Sequence, residues 1–151
     1  MDGTGHSNLP ADQYERGLTL KKAGHYKSAL AQFESVAADP AFALRAHAQS
    51  GLCLRAIGRL DDAVTAFKKA LALTGTSTKD TVQLLYVLGR TLEALGRIAE
   101  SLEAYRWLRR EDAGYRDVAD RIEHLSAHLA SPAAKKPAHT SESVTDQTSK
   151  I

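Results

Sequence analysis

The sequence predicts an all-α protein built as a stack of three helical hairpins with one further helix at the end. Glycines recur at a constant interval, since the step from Gly17 to Gly51 equals the step from Gly24 to Gly58. The same pattern returns after a slightly longer step, beginning at Gly89. Apolar residues between the glycines follow helical spacings of three and four, and no stretch alternates as a strand would. A repeat of this length indicates stacked helical units, each burying its apolar side against the next.

Prolines, glycines and one capping residue set the predicted helix boundaries. A proline precedes the first helix and another follows the second, because proline fits a first helical turn but not a helix interior. Gly24, Gly58 and Gly96 each end the first helix of a hairpin. Ser77, three residues before Asp80, forms a candidate capping box near the fifth helix. The predicted helices span about 11–23, 26–38, 42–57, 60–73, 81–95, 98–110 and 115–130.

The last predicted helix lies outside the repeat and carries an apolar stripe. The stripe consists of Tyr115, Val118, Ile122, Leu125 and Leu129. Charged residues fill the other side, as in a helix with one buried face. Because an open stack leaves an apolar surface at its end, this helix is predicted to cover that surface as a cap.

Five positions recur in each hairpin: a glycine within the first helix, a large apolar residue, a turn glycine, a small residue and an aromatic residue. Repeat by repeat they are Gly17, Leu20, Gly24, Ala29 and Phe33; Gly51, Leu54, Gly58, Ala63 and Phe67; and Gly89, Leu92, Gly96, Ser101 and Tyr105. This pattern resembles the tetratricopeptide repeat (TPR) family. The resemblance implies a right-handed α-α superhelix, the TPR solenoid. The expected repeats cover about 10–40, 44–75 and 82–112, and the expected capping helix covers 115–130.

The second repeat departs from the family pattern at two positions. The family places Trp and Leu four residues and one residue before the helix glycine, where the second repeat has His47 and Ser50. The third repeat keeps apolar residues there, Leu85 and Leu88. The first repeat is also polar at both positions, which suits an edge that faces water. The pattern therefore does not predict how the first two repeats pack together.

Composition limits the kinds of partner, the extent of the folded domain and the location that the sequence predicts. The chain has 151 residues with a formal net charge of +2, too little for a general attraction to nucleic acid. A folded domain is predicted over 10–130, between a flexible N-terminus at 1–9 and a disordered C-terminal tail at 131–151. One cysteine, no secretory signal and no membrane span favour the cytoplasm. The abundance of alanine favours a bacterial source.

The resemblance implies a concave groove, lined by the first helices of successive repeats, that takes a peptide or a partner segment. The expected contact residues are Tyr14, Leu18, Lys21, Arg45, Ala48, Leu52, Arg55, Gln83, Tyr86, Arg90 and Glu93. Their basic, tyrosine and leucine side chains predict a partner with acidic and apolar residues. In TPR domains that clamp the acidic C-terminal tails of chaperones, lysine, asparagine and arginine form the clamp. The matching positions here hold Tyr14, Leu18, Gln49, Gln83 and Val87, so no binding of those tails is expected.

The predicted function is protein–protein interaction, as an adaptor or scaffold subunit of a larger assembly. One alternative is a structural protein that self-associates end to end or through the groove, and a more distant one is an accessory subunit of an enzyme. No catalytic site, cofactor or metal is predicted, because His124 and His128 are too few ligands and Cys53 lies in a packed helix. Trp107 is predicted to pack beneath the capping helix, with an outward partner anchor as the alternative.

Overall fold

A computed structural model describes residues 8–131, and within them the chain forms seven α-helices and no strand. The helices are α1 (Pro10–Lys22), α2 (Tyr26–Val36), α3 (Ala43–Ala56), α4 (Leu60–Leu71), α5 (Thr78–Ala94), α6 (Ile98–Glu111) and α7 (Val118–Ala130). This confirms the predicted all-α helical repeat fold. Most of the predicted flexible N-terminus and disordered tail, 1–7 and 132–151, lies outside the described residues.

Each hairpin turns at a glycine that follows its first helix. Gly58 has a φ of +83°, a left-handed conformation that a residue without a Cβ adopts at little cost. The N–H of Arg59 donates to the carbonyl of Leu54 at 2.9 Å, and the N–H of Gly58 donates to that of Arg55 at 3.1 Å. These two bonds satisfy carbonyls that the helix end would leave unpaired. Because α4 starts directly after this turn, α3 and α4 run antiparallel.

The glycine inside the first helix of each hairpin faces the aromatic ring of the second helix. The pairs are Gly17 with Phe33, Gly51 with Phe67 and Gly89 with Tyr105. A Cβ atom added at Gly17 would lie 2.6 Å from the ring of Phe33, closer than real Cβ atoms approach. All three rings are fully buried. The glycines therefore let the two helices of each hairpin pack around an aromatic side chain.

Two helix starts differ from the prediction by more than one residue. Helix α5 begins at Thr78, three residues early, because the backbone N–H of Asp80 donates to the Ser77 hydroxyl at 3.1 Å and caps the helix there. Helix α7 begins at Val118, three residues late. Arg116 has a φ of +43°, which a right-handed helix cannot include. The residues just before α7 therefore form a turn.

The helices pack in chain order, each against the next, around one continuous apolar core. The aromatic rings of the three hairpins lie at its centre. Helix α7 packs on α6 and buries Val118, Ile122 and Leu125 from its apolar stripe. The first and last residues of that stripe are partly buried.

Two equivalent clefts lie on the face formed by α2, α4 and α6, which we call the second-helix face. The first cleft, of about 370 Å³, lies between α2 and α4. The second cleft, of about 340 Å³, lies between α4 and α6. Matching positions of successive repeats line them: His47, Ser50 and Lys69 in the first, and Leu85, Leu88 and Trp107 in the second. The same place in the fold is thus polar between repeats one and two and largely apolar between repeats two and three.

Trp107 is not covered by the capping helix, and the prediction that it packs there is wrong. Its side chain is 37% exposed and lines the second cleft together with Leu71 and Ala104. Helix α7 lies along a different side of α6, where Arg106 donates a hydrogen bond to Ser126 at 3.5 Å. Residues 106 and 107 point in different directions because successive helical side chains are about 100° apart.

The polar residues of the first cleft lower the stability of the stack. The Ser50 hydroxyl is buried without a hydrogen-bond partner among the described residues. Burial, and then the charge of Lys69, lower the pKa of His47. We expect the double variant His47→Leu/Ser50→Leu, which copies the second cleft, to raise the free energy of unfolding by about 1–2 kcal/mol. Urea denaturation measures this change.

The reciprocal variant, Leu85→His/Leu88→Ser, is the control for this prediction. Both leucines are buried, so their loss should lower the free energy of unfolding by about 3 kcal/mol or more. A His47→Leu/Ser50→Leu variant less stable than the wild type would contradict the assignment of a stability cost to the first cleft.

Candidate functional site

A groove of about 450 Å³ lies between α1, α3, α5 and the turn that precedes α7. We call this cavity the groove. Its apolar lining comes mainly from Leu44, Ala48, Leu52, Leu84 and Val87. Its aromatic and polar lining includes Tyr14, Arg45, Gln49, Tyr86, Tyr115 and Arg116. All three repeats and the start of the cap therefore contribute to one concave surface.

Six of the eleven expected contact residues line the groove together. They are Tyr14, Arg45, Ala48, Leu52, Gln83 and Tyr86. Leu18 and Lys21 line a separate hollow beside Tyr26. Arg55, Arg90 and Glu93 line neither of these cavities. The five expected residues that do not line the groove all lie in the C-terminal halves of α1, α3 and α5.

Arg45 lies over two aromatic rings on the repeat-one side of the groove. Its guanidinium carbon is 5.2 Å from the ring centroid of Tyr14 and 4.6 Å from that of Phe42. Its side chain forms no ion pair with any residue of 8–131. Burial raises the pKa of Tyr14, so its phenol stays protonated at neutral pH. The rings hold a flat, exposed cation at this side of the groove.

Arg116 lies over two aromatic rings on the repeat-three side. Its guanidinium carbon is 5.2 Å from the ring centroid of Tyr86 and 5.6 Å from that of Tyr115. Like Arg45, it is exposed and forms no ion pair with a residue that the structure describes. Its φ of +43° is the one positive value at a non-glycine residue within 8–131. Backbone conformations of this kind concentrate at functional sites.

A polar network fixes the turn that carries Arg116. The Tyr86 hydroxyl donates to Asp117 at 2.8 Å, and Arg121 of α7 pairs with Asp117 at 3.1 Å. Arg121 also pairs with Glu93 at 3.1 Å, and the same carboxylate accepts a hydrogen bond from the Tyr105 hydroxyl. Glu93, one of the expected contact residues, therefore has its carboxylate bound within the protein.

This network makes the docking of the turn depend on pH. The hydrogen bond from Tyr86, and then the charge of Arg121, hold the pKa of Asp117 below its usual value. A lowered pKa stabilises the folded state above about pH 4, and this contribution disappears as pH falls through the folded value. We expect Asp117→Asn to lower the free energy of unfolding by less than about 1 kcal/mol at pH 7, since the group is partly exposed.

Urea denaturation at neutral and acidic pH measures this effect. The difference between Asp117→Asn and the wild type should shrink as pH falls through the lowered pKa of the folded Asp117 carboxyl, because the wild-type group then becomes protonated in both states. Asp120→Asn, at an exposed position in the first turn of α7, is the matched control. A difference that does not shrink as pH falls would show that the Asp117 charge is not responsible.

Gln49 and Asp80 add polar groups to the groove. The Oε1 of Gln49 is buried from solvent and has no hydrogen-bond partner among the described residues. A bound segment would not reach this buried oxygen, which costs the fold about 1–3 kcal/mol. Asp80 supplies a carboxylate at the α5 edge, where the Ser77 hydroxyl donates to it at 3.0 Å. The lining thus combines two cations, an apolar surface and an acceptor, which suits binding of an extended segment.

Sequence reasoning does not assign Tyr115 and Arg116 to the groove. It places Tyr115 in the apolar stripe of the capping helix and Arg116 on the charged side of that helix. The preceding Asp112 and Gly114 form a turn signal that favours a later helix start. The left-handed backbone at Arg116 has no sequence signature, because it is an arginine.

Other candidate chemistry stays outside the groove. Cys53 is fully buried and burial raises its pKa, so it acts as a packing residue. His124 and His128 are exposed on α7. Within 8–131, no three or more His, Cys, Asp and Glu side chains gather as metal ligands would. None of the described helices combines the length and the apolar character that crossing a membrane requires.

Comparison with known sequence families identifies the type of helical repeat. Residues 42–110, from the start of the second repeat through α6, match the tetratricopeptide repeat family. These residues form tetratricopeptide repeats. The match covers the second and third repeats. In both, the first helix also carries a buried leucine at the large apolar position, Leu54 or Leu92. A comparison with curated proteins gives no match.

Solved TPR structures share the fold at low sequence identity. The crystal structure of MamA has a TM-score of 0.69 and 18% identity, covering 82% of this chain and 70% of MamA. The Yersinia enterocolitica type III secretion chaperone SycD, in complex with a peptide of the translocator YopD, has a TM-score of 0.66 and 16% identity, covering 80% and 95%. The first TPR of Spaghetti (RPAP3), bound to the HSP90 peptide SRMEEVD, has a TM-score of 0.67 and 19% identity, covering 86% and 100%. At these identities the likeness establishes the fold.

Proposed function

We propose that this TPR protein is a protein–protein interaction module that holds a segment of another protein in the groove, as an adaptor or scaffold subunit. The observation that carries the proposal is the pair Arg45 and Arg116, two cations without ion-pair partners in 8–131 at opposite sides of one apolar groove. Two TPR structures with this fold hold peptides, those with the YopD and HSP90 peptides. Those peptides are not inferred to be partners here.

The two arginines favour a segment with acidic residues. Each guanidinium lies over aromatic rings, and this placement lowers the conformational entropy that it loses when it binds a carboxylate. Because neither cation has a competing carboxylate among the described residues, a partner's Asp or Glu gains the full attraction. The expected segment therefore carries carboxylates placed to reach both sides of the groove.

Between the arginines, the groove favours apolar side chains. Ala48, Leu52 and Val87 are partly buried and face the cavity. A partner side chain that covers them gains about 25 cal/mol for each Å² of apolar surface removed from water. The proposed partner is thus an acidic segment with one or more large apolar residues.

Two further expectations belong to this proposal. No cation is present at the clamp positions, so we expect no capture of the acidic C-terminal tail of chaperones; these positions are Tyr14, Leu18, Gln49, Gln83 and Val87. A single, buried cysteine is compatible with a reducing compartment, and the cytoplasm is the proposed location. The alternative functions are self-association, end to end or through the groove, and an accessory role beside an enzyme.

Selection from a random peptide library on the intact protein tests the proposed function. We expect enrichment of peptides that combine Asp or Glu with large apolar residues. Isothermal titration with the enriched peptide should then show binding to the wild type. The HSP90 peptide SRMEEVD, run as a control, should show none.

The outcomes separate the parts of the proposal. No enrichment over a blank support would overturn the groove as a peptide site. Enriched peptides without acidic residues would keep the binding function and contradict the chemistry assigned to the partner. Binding of SRMEEVD would contradict the expected absence of the chaperone-tail clamp.

A further inference from the structure

An exposed tryptophan stands beside an apolar cleft on the second-helix face, away from the groove. Trp107 is the one tryptophan of the sequence and is 37% exposed. The second cleft beside it measures about 340 Å³, several times the ~30 Å³ share of one water molecule, so it admits a side chain as large as an indole. Leu85, Leu88 and Leu92 line it, together with the charged side chains of Lys68, Glu100 and Glu103. The patch thus holds both a projecting apolar side chain and a hollow that fits one.

The stacking of repeats does not require a tryptophan at position 107. The first cleft occupies the equivalent place one repeat earlier, and Lys69 there holds the position that Trp107 holds in the next repeat. The fold therefore accommodates a charged side chain at this position. The leucines of the second cleft are buried in the core, whereas Trp107 is an exposed large apolar residue. An exposed tryptophan that packing within the chain does not require indicates an interaction surface.

Charges of opposite sign flank Trp107 along α6. Glu103 lies one turn before it and Arg110 one turn after it, so the three share a helical face. Both charged side chains are exposed, and neither forms an ion pair with another residue of 8–131. Glu111 lies four residues after Trp107, so helical spacing places it on the same side of Trp107 as Ala104, which lines the cleft. Glu103 and Arg110 lie on the other side.

We propose that this patch binds a second copy of the same chain, with the two α6 helices antiparallel about a twofold axis near Trp107. In a twofold interface both copies use the same surface, so that surface must be self-complementary. A projection on each copy then enters the hollow of the other. Trp107 and the second cleft provide that projection and that hollow. The antiparallel arrangement places Glu103 of each copy opposite Arg110 of the other, which pairs both charges.

A dimer formed in this way leaves the groove of each copy open. The groove is lined by α1, α3, α5 and the turn before α7, whereas the patch belongs to α4, α5 and α6 on the opposite edge of the hairpins. The dimer would present two grooves, and a partner with two binding segments would be held more tightly than by either groove alone. The dimer does not depend on the function proposed for the groove.

Sedimentation and tryptophan fluorescence test this proposal directly. Over a concentration range from about 1 μM to 1 mM, the weight-average mass should rise from 16.3 kDa towards twice that value. Because Trp107 is the one tryptophan, its emission should shift to shorter wavelength over the same range as the indole leaves water. A mass that stays at 16.3 kDa throughout the range overturns the proposal.

Charge reversals identify the surface. Glu103→Arg and Arg110→Glu should each weaken self-association at least about tenfold, while an equimolar mixture of the two variants should restore it, because each then meets a partner of opposite charge. Arg109→Glu makes the same charge change as Arg110→Glu but two residues from Trp107, which turns it to another side of α6, so it should leave the association within about twofold of the wild type.

Replacing the tryptophan completes the test. Trp107→Lys installs the residue found at the equivalent position of the first cleft, so the fold should tolerate it, and circular dichroism checks that it does. The variant should remain monomeric at the highest concentration of the range. Dimerisation that survives Trp107→Lys, or a mixture of charge variants no better than either alone, would place the interface elsewhere and overturn the proposal.

Discussion

Replacing Gly51 with leucine is expected to lower the free energy of unfolding by at least about 3 kcal/mol, a large part of the roughly 5–15 kcal/mol that a domain of this size has. A Cβ atom at this position would lie 2.7 Å from Cδ1 of Phe67, and closer still to Cε1. The ring is fully buried at the centre of the stack, so relieving the clash displaces packed side chains. Thermal unfolding followed by circular dichroism measures the loss.

Two further variants separate overpacking from a general intolerance of substitution. Gly114→Ala places a Cβ with its nearest neighbour at 3.9 Å, so its free energy of unfolding should stay within about 0.5 kcal/mol of the wild type. Phe67→Leu in the Gly51→Leu background should cost less than the sum of the two single changes, since the smaller side chain relieves the clash. An unchanged melting temperature for Gly51→Leu would refute the packing register.

Reversing both groove arginines, Arg45→Glu with Arg116→Glu, is expected to reduce affinity for the library-selected peptide at least about 100-fold, roughly 3 kcal/mol. Each change removes an attraction and adds a repulsion against the same carboxylate. Both side chains are exposed and outside the core, so the fold should be retained. Isothermal titration measures the affinity and circular dichroism checks the fold.

Two arginines among the expected contact residues lie outside the groove and provide the matched control. Arg55→Glu with Arg90→Glu makes the same change in net charge, but neither residue lines the groove. The sequence pattern predicts that this pair abolishes partner capture, whereas the geometry predicts at most about a tenfold loss from long-range electrostatics. Equal losses from the two pairs would show that the peptide contacts the expected residues outside the groove as well as those that line it.

The helical hairpins were predictable because their determinants are local or recur at short range. Gly51 and Phe67 lie within one hairpin, on its two successive helices, and the same pairing recurs in the other two. The turn glycine Gly58 adopts a positive φ that its residue type allows. A repeating pattern of this kind specifies which helices pair and which faces they bury, and the seven helices follow it.

The composition of the groove was only partly predictable. Tyr14, Arg45 and Tyr86 lie on the face that helical spacing assigns to the groove, and they line it. Arg116 reaches it because docking of α7 through Arg121 and Asp117 fixes the turn in a conformation with no sequence signature. The position of Trp107 was not predictable, because the pattern does not say which side of α6 the cap covers.

The amino-acid sequence by itself determined the fold class, the three hairpins and the residues that must be small, because these depend on spacing along single helices and on contacts inside one repeating unit. Tertiary structure alone decided that Arg45 and Arg116 flank one cavity, that Glu93 is held by the cap and that Trp107 remains exposed. These features depend on the relative position of α3, α5, α6 and α7, which the packing of side chains from distant segments sets together.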